Sequence, residues 1–111
     1  MSDTSFYLPR ISAEDALAND DAFTFLDLRK PEAAQRSGKA MVGAIRQDPF
    51  TFDHDHPLTQ SDRPVAVFCV HGHEVSRFGC AMLMLHGVDA RFIEGGFEAL
   101  VAAGVPLEDL S

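Results

Sequence analysis

Six consecutive apolar residues, Val65-Ala66-Val67-Phe68-Cys69-Val70, constrain this chain more than anything else in it. A strand with one wet face alternates polar and apolar side chains. An unbroken run rich in β-branched residues instead suits a strand covered on both faces, as in a parallel sheet flanked by helices. Residues 65–70 are therefore expected at the sheet's centre, and the rest of the chain should supply crossover helices and further short strands. Phe23 to Leu28 and Ala90 to Ile93 read as strands of the same kind, with a short one over Gly43-Ala44-Ile45-Arg46. Ser12 three residues ahead of Asp15 predicts a capped helix over about 12–19. Pro31 in a first turn with Glu32, and Gly38 just past Ser37, bracket another helix through Ala33, Ala34 and Gln35. Val75, Phe78, Met82 and Leu85, with Leu83 beside them, follow helical spacing up to Gly87, and a last helix is expected from Phe97 to Ala103. Residues 47–64, with Pro49, Pro57, Pro64 and many polar groups, read as an excursion over the surface.

Over 111 residues, 46% of them hydrophobic, the chain can build one core without disulfides or metals, and it is read as a single domain over 1–111. Seventeen acidic against nine basic residues give a formal charge of −8. With no stripe of Lys and Arg to neutralise phosphates, nucleic acid is not an expected partner. The opening MSDTSFYLPR has no basic and then apolar pattern, and no apolar run approaches the ~20 residues that span a bilayer, so a soluble cytoplasmic protein without a membrane partner is expected. Cys69 and Cys80 are the two cysteines, and their spacing fits neither a disulfide framework nor a zinc finger.

Cys69 stands where the expected central strand runs into a loop opening a helix, and ligands of parallel sheets collect at the carboxyl ends of strands. The loop His71-Gly72-His73-Glu74 can turn backbone N–H groups towards one point, Gly72 permits close approach, and the helix adds its positive end. Such surroundings lower a cysteine pKa from about 8.5 to roughly 3.5–7.5, giving a thiolate nucleophile at neutral pH. The competing reading is a small buried hydrophobe that merely ends a strand.

An ordered set of motifs adds to this. Phe25-Leu26-Asp27-Leu28-Arg29, Pro31-Glu32, Gly43-Ala44-Ile45, Val67-Phe68-Cys69, Glu94-Gly95-Gly96 and Ala103-Gly104-Val105-Pro106 follow one another as in the rhodanese-like domains, which the chain resembles over nearly its whole length. The resemblance implies a three-layer α/β fold with a central parallel sheet and helices on both faces. It also implies a sulfurtransferase in which Cys69 accepts sulfane sulfur as a persulfide and passes it on. The amides of Val70, His71, Gly72, His73, Glu74 and Val75 would cradle that persulfide, with no metal or organic cofactor. The partners implied are a small sulfur-containing donor and a thiophilic acceptor, a protein acceptor among the candidates. Asp27 and Arg29 would hold loops together near the site.

The sequence departs from the resemblance at Glu74, where many rhodaneses carry an arginine that grips an anionic donor. A carboxylate ~6 Å from a thiolate at an effective dielectric near 20 costs about 3 kcal/mol, more than the roughly 0.3–2 kcal/mol a helix terminus supplies. Glu74 is therefore expected to turn away and pair with Arg77, and a persulfide is expected to be a better donor than thiosulfate. His71 and His73 are either donors of hydrogen bonds to a donor anion or plain solvent-facing residues. A cysteine phosphatase or arsenate reductase needs an arginine after five intervening residues, whereas seven separate Cys69 from Arg77. A non-catalytic binding module is the alternative of a different class. The string Asp53-His54-Asp55-His56 matches no metal spacing and reads as a polar surface turn. Cys80 reads as a packed core thiol, and Leu100, where many relatives carry tryptophan, as a packing change.

Overall fold

The apolar run becomes the middle strand of a five-stranded sheet in a computed structural model that describes residues 8–71 and 74–110, Glu74 by its backbone alone. The strands are β1 (Arg10–Ile11), β2 (Thr24–Asp27), β3 (Lys39–Met41), β4 (Ile45–Arg46), β5 (Val65–Phe68), β6 (Ala90–Ile93) and β7 (Leu107–Asp109). The helices are α1 (Ala13–Ala18), α2 (Pro31–Ser37), α3 (Glu74–Leu85) and α4 (Gly96–Ala102). Strand order in the main sheet is β1-β6-β5-β2-β4, with every neighbouring pair parallel.

Side chains of β5 alternate between two cores, as a doubly covered strand must. Val65 and Val67 join Leu26, Leu83 and Phe92 on the α3 side. Ala66 and Phe68 join Phe25, Phe97 and Leu100 on the side of α1 and α4. The three layers expected from the sequence are present. Local signals set the helix ends as read: the Ser12 hydroxyl accepts the Asp15 N–H at 3.0 Å, Pro31 opens α2, and Gly38, at φ +70°, closes it in the left-handed region.

Two features differ from expectation. The stretch after Gly38 is β3, paired antiparallel with β7 and tied by Lys39 Nζ to Asp109 Oδ1 at 2.6 Å. Alternation cannot reveal strands of three residues. Helix α3 also presents another face to the sheet than the one read from its large apolar residues: Phe78 is 56% and Leu85 82% exposed, while Ser76, Cys80, Met82 and Leu83 are buried. The sheet demands small residues where the helix crosses it, and Gly79 lies against Leu28 and Val67. An apolar count gives glycine and serine no weight, so it turned Phe78 and Leu85 inward, while Met82, Leu83 and Cys80 are buried as read. Residues 47–64 form the expected excursion, built of two 3-10 turns, and drop Phe52 and Leu58 into the core beneath α3.

Candidate active site

Cys69 follows the last residue of β5 at the carboxyl end of the sheet, between β2 and β6. Continuing the strand's alternation, its side chain turns towards α3. The Cys69 Sγ lies 3.4 Å from the hydroxyl of Ser76, and the thiol is 8% exposed. In the thiol form the S–H donates to Ser76 Oγ; in the thiolate form the hydroxyl donates to sulfur. Ser76 sits in the first turn of α3, so the positive end of a twelve-residue helix stands close to the sulfur.

The root of the loop is clamped from the other side. The Phe97 N–H donates to the Cys69 carbonyl at 2.7 Å, and the Glu98 N–H to that of Val70 at 3.3 Å, so the first turn of α4 uses its otherwise unpaired amides to fix both carbonyls. His71 is exposed, with Nδ1 3.5 Å from the Glu98 carboxylate. Val70 joins Ala33, Phe97 and Val101 in the walls of a largely apolar cleft of about 290 Å³ between α2 and α4. Val75 is half-buried against the α3-side core. Gly72 and His73 lie outside the described residues, as does the side chain of Glu74. The expected ring of loop amides and the expected Glu74 to Arg77 pair therefore fall partly there. The Arg77 guanidinium stands over the Phe92 ring, 5.1 Å from its centre.

Asp27 and Arg29 form the frame beneath the loop. Both side chains are 1% exposed. Arg29 Nε donates to both Asp27 oxygens at 3.0 and 3.1 Å, and Nη2 to Oδ2 at 2.9 Å. Arg29 also donates to the Lys39 carbonyl at 3.0 Å and to Ser37 Oγ at 3.1 Å, and its guanidinium lies 3.9 Å from the centre of the Phe97 ring. One side chain thus joins β2, α2, β3 and α4.

Three participants were not singled out from the sequence: Ser76, the α4 amides, and Arg46, whose Nε stands 3.9 Å from Asp27 Oδ2 in the frame beneath the loop. Only Arg46 left a sequence signal, as a cation ending a short strand in an acidic chain.

Outside the site, Cys80 is buried on the inner face of α3, and burial, helped by Asp89, pushes its thiol up to about 11. Leu100 is fully buried in the core beside Phe97. His54 Nδ1 meets His86 Nε2 at 2.8 Å, linking the excursion to the end of α3. Among the described residues, no three His, Cys, Asp or Glu side chains gather as metal ligands, and no helix is long and apolar enough to cross a membrane.

No family model matches the chain, and no curated protein matches it. Solved structures do. A rhodanese-related protein from Thermoplasma volcanium is similar at 25% identity and TM-score 0.77, covering 90% of this chain and 97% of its own. A protein from Rhodopseudomonas palustris described as a possible tyrosine phosphatase is similar at 24% identity and TM-score 0.70, covering 91% of this chain and 85% of its own. A thiosulfate sulfurtransferase from Pseudomonas aeruginosa matches 93% of this chain at 20% identity and TM-score 0.73, over 20% of its own length.

Proposed function

We propose, from the premise that the chain belongs by its fold to the rhodanese-like domains, that it moves sulfane sulfur from a donor to a thiophilic acceptor through a persulfide on Cys69. The observation that carries this reading is the seat of Cys69: the carboxyl end of the central strand, with the Ser76 hydroxyl 3.4 Å from its sulfur at the opening turn of α3. A negative sulfur is favoured there by the helix end and by a hydroxyl able to donate to it, and only the thiolate is nucleophilic enough to attack a sulfane donor. The α4 clamp on the Cys69 and Val70 carbonyls keeps the loop root fixed while the sulfur is loaded and unloaded. The apolar cleft beside Val70 suits the carbon portion of a donor or acceptor.

Cysteine phosphatase chemistry is the second reading, because one similar protein is described as a possible phosphatase. Against it stands Arg77, which lies over Phe92 and is separated from Cys69 by seven intervening residues rather than five. Dianion binding in that reaction needs a guanidinium that completes the loop.

Intact mass after incubation with a sulfane donor tests the proposal. The expected result is a gain of one sulfur that Cys69→Ser abolishes and that cyanide removes as thiocyanate. No gain with any donor leaves a non-catalytic binding domain, and phosphate-ester turnover in its place supports the second reading.

A further inference from the structure

Two imidazoles meet where the excursion closes over the end of α3. His54 Nδ1 lies 2.8 Å from His86 Nε2, across 32 positions of sequence, and both residues are exposed. They stand away from the candidate active site: α3, 12 residues and so about 18 Å long, runs from the Cys69 loop back to His86.

Both rings are carried on fixed backbone. Phe52 and Leu58 anchor the excursion in the core, Asp53 Oδ1 accepts the Asp55 N–H at 3.0 Å, and the Thr59 hydroxyl donates to the His54 carbonyl at 3.3 Å. On the other side the His86 N–H donates to the Leu83 carbonyl at 3.0 Å, and Gly87, at φ +83°, turns the chain.

Two nitrogens in this relation share a proton, and the same span suits a metal ion. Ligands at right angles on an ion with bonds of about 2.0 Å stand about 2.8 Å apart, so octahedral or square-planar ions accept the pair at its observed separation. A tetrahedral ion needs about 3.3 Å, and the pair would have to open. Chelation asks each exposed ring to turn until the lone pairs converge beside the line joining the nitrogens, about a torsion that is broad in histidine.

Charge favours a cation here. From 47 to 62 and from 78 to 90 the chain holds Asp48, Asp53, Asp55, Asp62 and Asp89 and no lysine or arginine, although Arg91 Nε stands 3.5 Å from Asp89. Carboxylates alone would attract hard cations, whereas imidazoles select the softer transition ions. No spacing within 53–56 announces such a site, because the second ligand comes from the far end of another element.

We propose that His54 and His86 form a two-imidazole site for a divalent transition ion of octahedral or square-planar habit, the class of Ni(II) and Cu(II). Among the described residues no third His, Cys, Asp or Glu joins them, so water fills the other positions. On binding, the ring that donated in the hydrogen bond moves its proton to its other nitrogen, and each ring gives a lone pair to the ion. Two coordinate bonds then fasten the excursion to α3 where one shared proton did. The site is independent of what Cys69 does.

Isothermal titration of the full chain with Ni(II), in excess Mg(II), tests this for wild type, His54→Gln, His86→Gln and His71→Gln. Wild type should bind one ion per chain at this site in the micromolar range. His54→Gln and His86→Gln should each weaken it by roughly tenfold or more, since either leaves a single imidazole, and His71→Gln by less than about threefold. Ni(II) at roughly 100 times its dissociation constant should raise wild-type Tm by about 5–10 °C, and that of either pair variant by about half as much or less. The metal-free Tm of each variant reads the hydrogen bond separately. Affinity retained within about threefold in either pair variant overturns the site, as does a wild type that takes up no Ni(II). Competition by Mg(II) overturns it by assigning the ion to the aspartates, and an equal loss in His71→Gln by assigning it to the Cys69 loop.

Discussion

Replacing Arg29 with methionine strands the Asp27 carboxylate, which is 1% exposed, in the middle of the domain. Removing one partner of a buried pair costs about 3–5 kcal/mol, because the remaining charge keeps its desolvation penalty without its counter-ion. Arg46, 3.9 Å from the same carboxylate, can swing inward and recover part of this, and methionine keeps apolar bulk against Phe97. The expected loss is therefore at the low end, about 3 kcal/mol, a large fraction of the ~5–15 kcal/mol that holds a domain together. With a urea m-value of ~1–3 kcal/mol/M, the unfolding midpoint should fall by roughly 1.5 M, read by circular dichroism. The double variant Asp27→Leu, Arg29→Met separates the causes. It strands no charge, so it should recover all but ~1–2 kcal/mol, the residue being the donors lost by the Lys39 carbonyl and Ser37. A single variant within ~1 kcal/mol of wild type refutes the claim that the pair holds the frame. A double variant as unstable as the single one moves the cost from stranded charge to the contacts with Lys39, Ser37 and Phe97.

Gly79→Ala should lower Tm by roughly 5 °C, because the added Cβ meets the Leu28 Cδ1 methyl and stands 3.5 Å from Val67, an overpacking cost of ~1–3 kcal/mol against a helix-propensity gain of ~1. A raised Tm in differential scanning calorimetry would show that Leu28 has room to turn. Burial holds His56 below its ordinary 6.5, against the opposing pull of Asp53, and its Nδ1 accepts the Leu58 N–H at 3.1 Å. The folded chain then binds that proton less readily than the unfolded one. The associated stability is complete above about pH 6.5 and is lost as pH falls through the lower folded value. His56→Asn should flatten this part of the Tm profile between pH 7.5 and 5, and parallel profiles for the two proteins would refute it.

The elements legible in the sequence were those whose signal is local. Val65–Phe68 could be read from its unbroken apolar run, α1 from Ser12 and Asp15, and α2 from Pro31 and Gly38, because each depends on groups within a few residues. The ladder of β3 with β7 was not legible, since Lys39 and Asp109 meet only once the rest of the chain has folded. Phe78 and Leu85 of α3 were misread for a related reason: the helix's close approach to Leu28 is made by Gly79, a residue that hydrophobicity does not score. At the site, Cys69 and the Asp27 and Arg29 pair stood out as residue types in an ordered pattern. Ser76 and the α4 amides became visible only through distance, because a serine in a helix and two backbone N–H groups carry no signature of their own.

If Cys69 carries sulfur as proposed, the state of Cys80 decides whether that sulfur stays there. A second thiol able to ionise could attack the loaded sulfur, expel sulfide and leave an internal bridge, discharging the cargo before an acceptor arrived. With its thiol pushed up to about 11, Cys80 stays protonated at pH 7, and its side chain is buried on the inner face of α3. On the sulfur-transfer reading proposed above, a loaded molecule therefore keeps its freight until an acceptor from outside comes to take it.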